Sequence, residues 1–269
     1  MTQFRNILAA GLTLAAASIA FEPAPAAANN DEKGFEIAAR SDRSDRGFGD
    51  SRVQLEMILR NAAGDETRRN LDIETFEIQD ESVGDLGLTS FNSPRDIEGT
   101  ALLSHAKILE PDDQWLYLPA LKRVKRISST NKSGPFVGSE FAFEDITGQE
   151  LNKYDYTWLA EEACGDLNCD VVERRPRYEN SGYTKQIVWI DQTDFQVRKA
   201  EYYDRKDELL KTQTFEDYQL YDGKFWRAQT FRMVNHQTGK STDLIFSNYE
   251  FGVGLRERDF VKGVLTKRR

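Results

Sequence analysis

The chain is short of the residues that carry most enzyme chemistry. Its 269 residues include two Cys, two His and three Met. The two imidazoles, His105 and His236, lie far apart and each sits in or beside a strand or turn pattern. Such isolated histidines are surface or cross-strand residues far more often than general bases. There is no Gly-x-Ser-x-Gly elbow and no His-Glu-x-x-His pair, so the familiar serine-hydrolase and zinc-protease arrangements are excluded. No Gly-rich loop follows a strand pattern, which leaves no phosphate cradle and no expected cofactor. "DDQ" at Asp112 reads as a turn into the strand carrying Trp115, not as a metal loop. Cations are outnumbered, 36 against 45 acids, for a net charge of −9. Phosphate binding needs cationic surface, so a general nucleic-acid binder is excluded. Beyond the N-terminus no apolar run approaches the ~20 residues that span a bilayer.

The N-terminus is the exception. Arg5 is the one charge in the first seven residues, "ILAAGLTLAAASIAF" follows, and Ala26-Ala27-Ala28 supplies small residues after it. This is the pattern of a secretory signal peptide cleaved after Ala28. The apolar stretch is too short for a membrane anchor. No Cys stands near the cut, so the mature chain is expected to be periplasmic and not lipidated. In an oxidising compartment the two cysteines of "ACGDLNCD", Cys164 and Cys169, read most simply as a disulfide. Their spacing is not Cys-x-x-Cys, and no His is near enough in sequence for a zinc site.

Residues 29–269 then form one expected domain. "DEKGFEIAARSDRSDRGFGD" places Phe35, Ala38 and Ala39 at helical spacing and predicts a short amphipathic helix ending near Gly47. After it the period changes to two. Val53, Leu55, Met57 and Leu59 alternate with Gln54, Glu56, Ile58 and Arg60, "NAAGDE" supplies a turn, and Leu71 and Ile73 continue the pattern. Ten further strand-like segments follow, separated by short turn-rich links such as "EPDD", "DQTD", "YDG" and "NHQTG". No βαβ rhythm and no internal repeat appear. The prediction is a mainly antiparallel meander. So many long strands curl rather than stay flat. The N-terminal helix and the segment "GPFVGSEFAFEDITGQ" are the candidates to cover the inner face, with a cavity between.

The central third is crowded with aromatics: Trp115, Tyr117, Phe136, Phe141, Phe143, Tyr154, Tyr156 and Trp158. Most are expected to be core and cross-strand packing. Phe136, Val137, Phe141 and Phe143 lie in a loop punctuated by Gly134, Gly138 and Gly148. Apolar side chains on a hinged loop suit a lid over an apolar groove, while aromatics also suit burial. "LKRVKR" sets Lys122, Arg123, Lys125 and Arg126 on one strand, with Arg123 and Lys125 pointing one way and Lys122 and Arg126 the other. That strand is either a solvated face or a docking patch for an anionic partner, a lipid headgroup or an acidic protein.

"DDQWLYLPALKRVKRIS" and "KSGPFVGSEFAFEDI" closely resemble the signature of the outer membrane lipoprotein-sorting protein family, the LolA-like group associated with RND/MMPL-type exporters. "YTWLAEEACGDLNCDVVERRP", "VWIDQTDFQVRKAEYYDRKDELLKT", "TGKSTDLIFSNYEF" and "GLRERDF" resemble it as well, so the likeness runs from about Phe35 to the C-terminus. The resemblance implies an incomplete, strongly curved β-barrel closed by short helices. It implies a soluble periplasmic carrier that shields a lipid or lipoprotein acyl chain, not an enzyme. Its expected partners are an inner-membrane exporter and an outer-membrane acceptor. The cavity would be lined by Trp115, Tyr117, Leu118, Val188 and Phe231. A regulatory sensor that binds a membrane-anchored envelope-stress regulator is the alternative for this fold. A hydrolase built on two of the many carboxylates is a third reading, and would need a pair of raised pKa in a polar cleft.

Overall fold

The computed structural model describes residues 25–80, 82–148 and 150–267, with side chains from residue 29 onward. The expected leader, Met1 to Ala28, lies outside this range apart from its last four residues, whose backbone opens the helix. Helix α1 spans Pro25–Asp45, longer at its start than the spacing predicted. Ile37, Ala38 and Ala39 are buried. Phe35 is not: it is 45% exposed and meets Tyr156 edge-on, ring centroids 6.2 Å apart.

Thirteen strands follow: β1 (Asp50–Arg60), β2 (Glu66–Phe76), β3 (Leu86–Ser93), β4 (Ala101–His105), β5 (Asp113–Leu118), β6 (Arg123–Arg126), β7 (Tyr154–Cys164), β8 (Leu167–Pro176), β9 (Lys185–Asp191), β10 (Val197–Tyr203), β11 (Leu209–Tyr221), β12 (Phe225–Asn235) and β13 (Ser241–Phe251). They form one antiparallel sheet in the order β6-β5-β4-β3-β2-β1-β13-β12-β11-β10-β9-β8-β7. Two meanders, β1–β6 and β7–β13, are thus zipped together along β1 and β13. The sheet is open, with β6 and β7 at its margins.

The predicted hairpin forms in register, Val53 opposite Ile73 and Leu55 opposite Leu71. Alternation sorts the side chains between the two faces. Val53, Leu55, Met57, Leu71, Phe91, Leu102, Val188, Met233 and Leu244 belong to the main core on the inner face. Their odd-even neighbours go elsewhere: Leu88, Leu103 and Trp115 pack on the outer face beneath Phe260 and Leu265 of the C-terminal segment. His105 Nε2 meets the Phe260 carbonyl oxygen at 2.7 Å, which ties that segment down.

Curvature follows from the residues that meet. Leu86 and Gly87 of β3 and Val188 of β9 line one cavity. A flat sheet would hold β3 and β9, seven strand steps apart, about 34 Å from each other at ~4.8 Å per step. Irregularities help the bend. Asp217 in β11 and Asn248 in β13 take φ of 59° and 55°, the left-handed region that Asp and Asn tolerate, and the β1–β13 register shifts nearby, between Arg52 and Gln54. Such bulges bend and twist a strand.

Candidate ligand cavity

Three elements enclose the cavity. The sheet supplies its walls, α1 covers one side, and the chain between β6 and β7 fills much of the rest. That connecting segment runs through a series of short 3-10 turns. Phe136 and Phe141 are 1% and 2% exposed. Phe136 packs between Phe91 and Phe143 at 5.7 and 5.5 Å. The Phe136 N–H donates to the Phe141 carbonyl at 2.7 Å, and Gly138 takes φ of 80° to close the turn between them.

Polar anchors hold the segment from both sides. Lys211 Nζ donates to Asp145 Oδ2 at 2.7 Å and to the Glu140 carbonyl at 3.0 Å. The Tyr183 hydroxyl meets Asp145, and Tyr178, Ser181 and the Gly182 N–H all donate to Glu144. Lys153 and Asp112 form a buried ion pair at 2.9 Å. Thr147 Oγ1 donates to the other Asp112 oxygen at 2.7 Å. The four residues expected as a lid therefore act as a plug. Burial of two phenyl rings and a set of desolvated hydrogen bonds hold it in this position.

A cavity of about 550 Å³ remains between sheet, plug and α1, within the ~300–1,000 Å³ range of small-molecule sites. Val53, Val188, Ile190, Phe215, Phe231 and Phe246 give it apolar walls. Val188 and Phe231 were expected there. Trp115 and Tyr117 were expected too, but period-two alternation sends them to the outer face against Leu103, Phe260 and their neighbours. Leu118 is half-buried at the end of β5 and does not reach the cavity. Of the lid residues, Phe141 touches the cavity, and Phe136, Val137 and Phe143 pack in the core around it. Lys122, Arg123, Lys125 and Arg126 stand apart, fully on the surface at the β6 margin. Cys164 and Cys169 are bonded across the β7–β8 turn, Cα atoms 5.9 Å apart.

One end of the cavity is acidic, which sequence reasoning missed. The C-terminal turns of α1 bring Asp42, Asp45 and Arg46 beside Glu77, Asp85 and Glu150. Glu77 accepts the Gly47 and Gly49 N–H groups at 2.7 and 2.8 Å. Arg46 reaches Asp42 at 3.1 Å and Glu150 at 3.5 Å. Arg227, which stacks over Phe48, Phe225 and Phe251, pairs with Asp45. Asp85 has less support, a single N–H from Ile78 at 2.8 Å. Burial pushes its carboxyl up to about 7, Glu150 and then Glu77 add to this, and the Ile78 N–H and Arg46 oppose it. Burial also raises Asp45, against the pull of Arg227. These acids are scattered over more than a hundred residues, so no spacing announces them. Among the described residues no cluster of His, Cys, Asp and Glu is arranged to hold a metal ion. No described helix is long and apolar enough to cross a membrane.

An open, curled antiparallel sheet around an apolar cavity defines a class of binding folds. A protein-family model described as "-like: Uncharacterized protein" matches residues 84–267. No curated protein matches the chain. Among solved structures, a domain from Vibrio parahaemolyticus named for outer membrane lipoprotein sorting is 52% identical, covers 88% of this chain and 100% of its own, and superposes with a TM-score of 0.85. A DUF1329 family protein from Desulfovibrio piger is 29% identical over 88% of this chain and 99% of its own, TM-score 0.83. A LolA superfamily protein from Nitrosomonas europaea shares the fold at 20% identity, with 86% and 98% covered and a TM-score of 0.70. The chain belongs to the family of the Vibrio outer membrane lipoprotein-sorting domain, and its fold is LolA-like.

Proposed function

We propose that this protein is a soluble periplasmic carrier that shields the acyl chain of a lipid or lipoprotein. The observation that carries this reading is the cavity of about 550 Å³ with apolar walls drawn from both halves of the sheet. Each methylene withdrawn from a bilayer costs about 0.8 kcal/mol, so one long chain in water costs on the order of 10 kcal/mol. A preformed cavity with apolar walls offsets most of that. The cargo passes from an inner-membrane RND/MMPL-type exporter to an outer-membrane acceptor. The sorting role in the name of the Vibrio relative supports that direction.

The test is displacement of a fluorescent fatty-acid probe. Ala38→Leu on α1 and Val188→Phe on β9 both add carbon to the cavity wall. Probe affinity should fall at least tenfold in each variant that still unfolds cooperatively. Unchanged affinity in both folded variants would sink the carrier reading.

A further inference from the structure

The two margins of the sheet are finished differently. At β7 the helix lies against the strand: Gly34 sits so close to the Thr157–Trp158 backbone that a Cβ would lie 2.6 Å from the Trp158 nitrogen. Asp31 bonds Thr157, and Lys33 pairs with Glu161. That edge is covered over its first half, and beyond Trp158 the strand is largely exposed. The β6 edge is bare. All four of its residues are exposed, and the β5–β6 turn carries Leu121 at 62% exposure, with Val124 at 37%. Pairing puts Val124 opposite Tyr117 and Lys125 opposite Leu116. Cations therefore project from both faces of the strand and from Lys122 in the turn. Arg126 is neutralised by Asp113. Among the described residues Lys122, Arg123 and Lys125 have no acidic partner, in a chain of net charge −9.

A short charged edge is also how sheets avoid pairing with other strands. That purpose does not call for a leucine left in water at the tip. We propose that the hairpin 118–126 docks on an anionic lipid surface. Leu121 enters the boundary between headgroups and acyl chains, and Lys122, Arg123 and Lys125 meet the phosphates. A bilayer engages all four side chains at once. An acidic peptide added as a strand would find only four residues to pair with and would leave Leu121 exposed. The inference does not depend on the cavity reading, and either can fail alone.

The experiment is co-sedimentation of the full mature chain with vesicles of phosphatidylcholine, alone or mixed with phosphatidylglycerol. The chain should bind the mixed vesicles, more weakly as salt is raised, because surface charge is screened. The variant Lys122→Gln/Arg123→Gln/Lys125→Gln should lose on the order of 100-fold in affinity. Leu121→Ser should lose roughly fivefold with its salt dependence kept. All four positions are exposed, so the melting transition should not move. Equal binding to both vesicles, no binding to either, or parental binding by the triple variant would each overturn the proposal.

Discussion

Replacing Gly34 by Ala should destabilise this protein, although the same change inside most helices does the opposite. In an exposed helix interior Ala is favoured over Gly by about 1 kcal/mol. Here the added methyl would lie 2.6 Å from the Trp158 nitrogen, 2.8 Å from the Thr157 carbonyl carbon and 3.0 Å from its Cα. All three are backbone atoms of β7, so no side chain can swing aside. Overpacking against such a wall costs about 1–3 kcal/mol, and pushing the helix outward also strips contacts from Ile37 and Ala38. The net loss is about 1–2 kcal/mol, or roughly 2–8 °C in Tm for a domain of this size. Because α1 also supplies Ala38, Ser41 and Asp42 to the cavity, a fluorescent acyl probe should bind more weakly in the same variant. Thermal unfolding by circular dichroism reads the first effect and a probe titration the second. A Tm that rises by the ordinary Gly-to-Ala increment would refute the close docking of α1 on β7.

Three further outcomes follow from buried groups. Asp85 holds its proton up to about pH 7 in the folded chain, against an ordinary value of 3.8. Its protonation therefore contributes stability that is complete below about pH 4, declines as pH rises, and is gone above about pH 7. Asp85→Asn should flatten stability between those limits and raise it at pH 8, by at most about 4 kcal/mol, in urea titrations across that range. No difference between the two proteins at pH 8 would count against the burial of Asp85 beside Glu150 and Glu77. Lys153→Met removes the cation paired with Asp112, leaving it the Thr147 hydroxyl and the Lys107 N–H, and should cost about 3 kcal/mol by denaturant unfolding. Adding Asp112→Asn should recover part of that loss, which simple addition would not. Replacing both cysteines by serine opens a loop of sequence separation 5 and should cost only about 2 kcal/mol.

The sheet was legible because its signal is local. Alternation of Val53, Leu55 and Met57 and the turn residues between strands depend on neighbours alone, and the pairing Val53–Ile73 follows from them. Faces were harder. Trp115 looked like a lining residue because it is aromatic and central. Its destination is decided by parity with Leu103 across β4 and by a C-terminal segment more than a hundred residues away, whose Phe260 covers it. The 136–143 loop carries both lid and core signals. Its burial is settled by Lys211, Tyr183 and Lys153, none of which marks itself in sequence. The acidic end of the cavity could not be read at all. Asp42, Glu77, Asp85 and Glu150 meet only when α1 crosses the sheet. Phe246 could have been found: it follows Leu244 at strand spacing in β13, and both face inward.

The measurement closest to the central claim is native mass spectrometry, with lipid extraction, on mature protein purified gently from the periplasm. The account predicts an adduct the mass of one acyl-bearing molecule, which is lost from the cavity-filling Ala38→Leu variant. Protein that emerges empty, and stays empty when offered lipids and acylated peptides, would contradict a carrier built on this cavity.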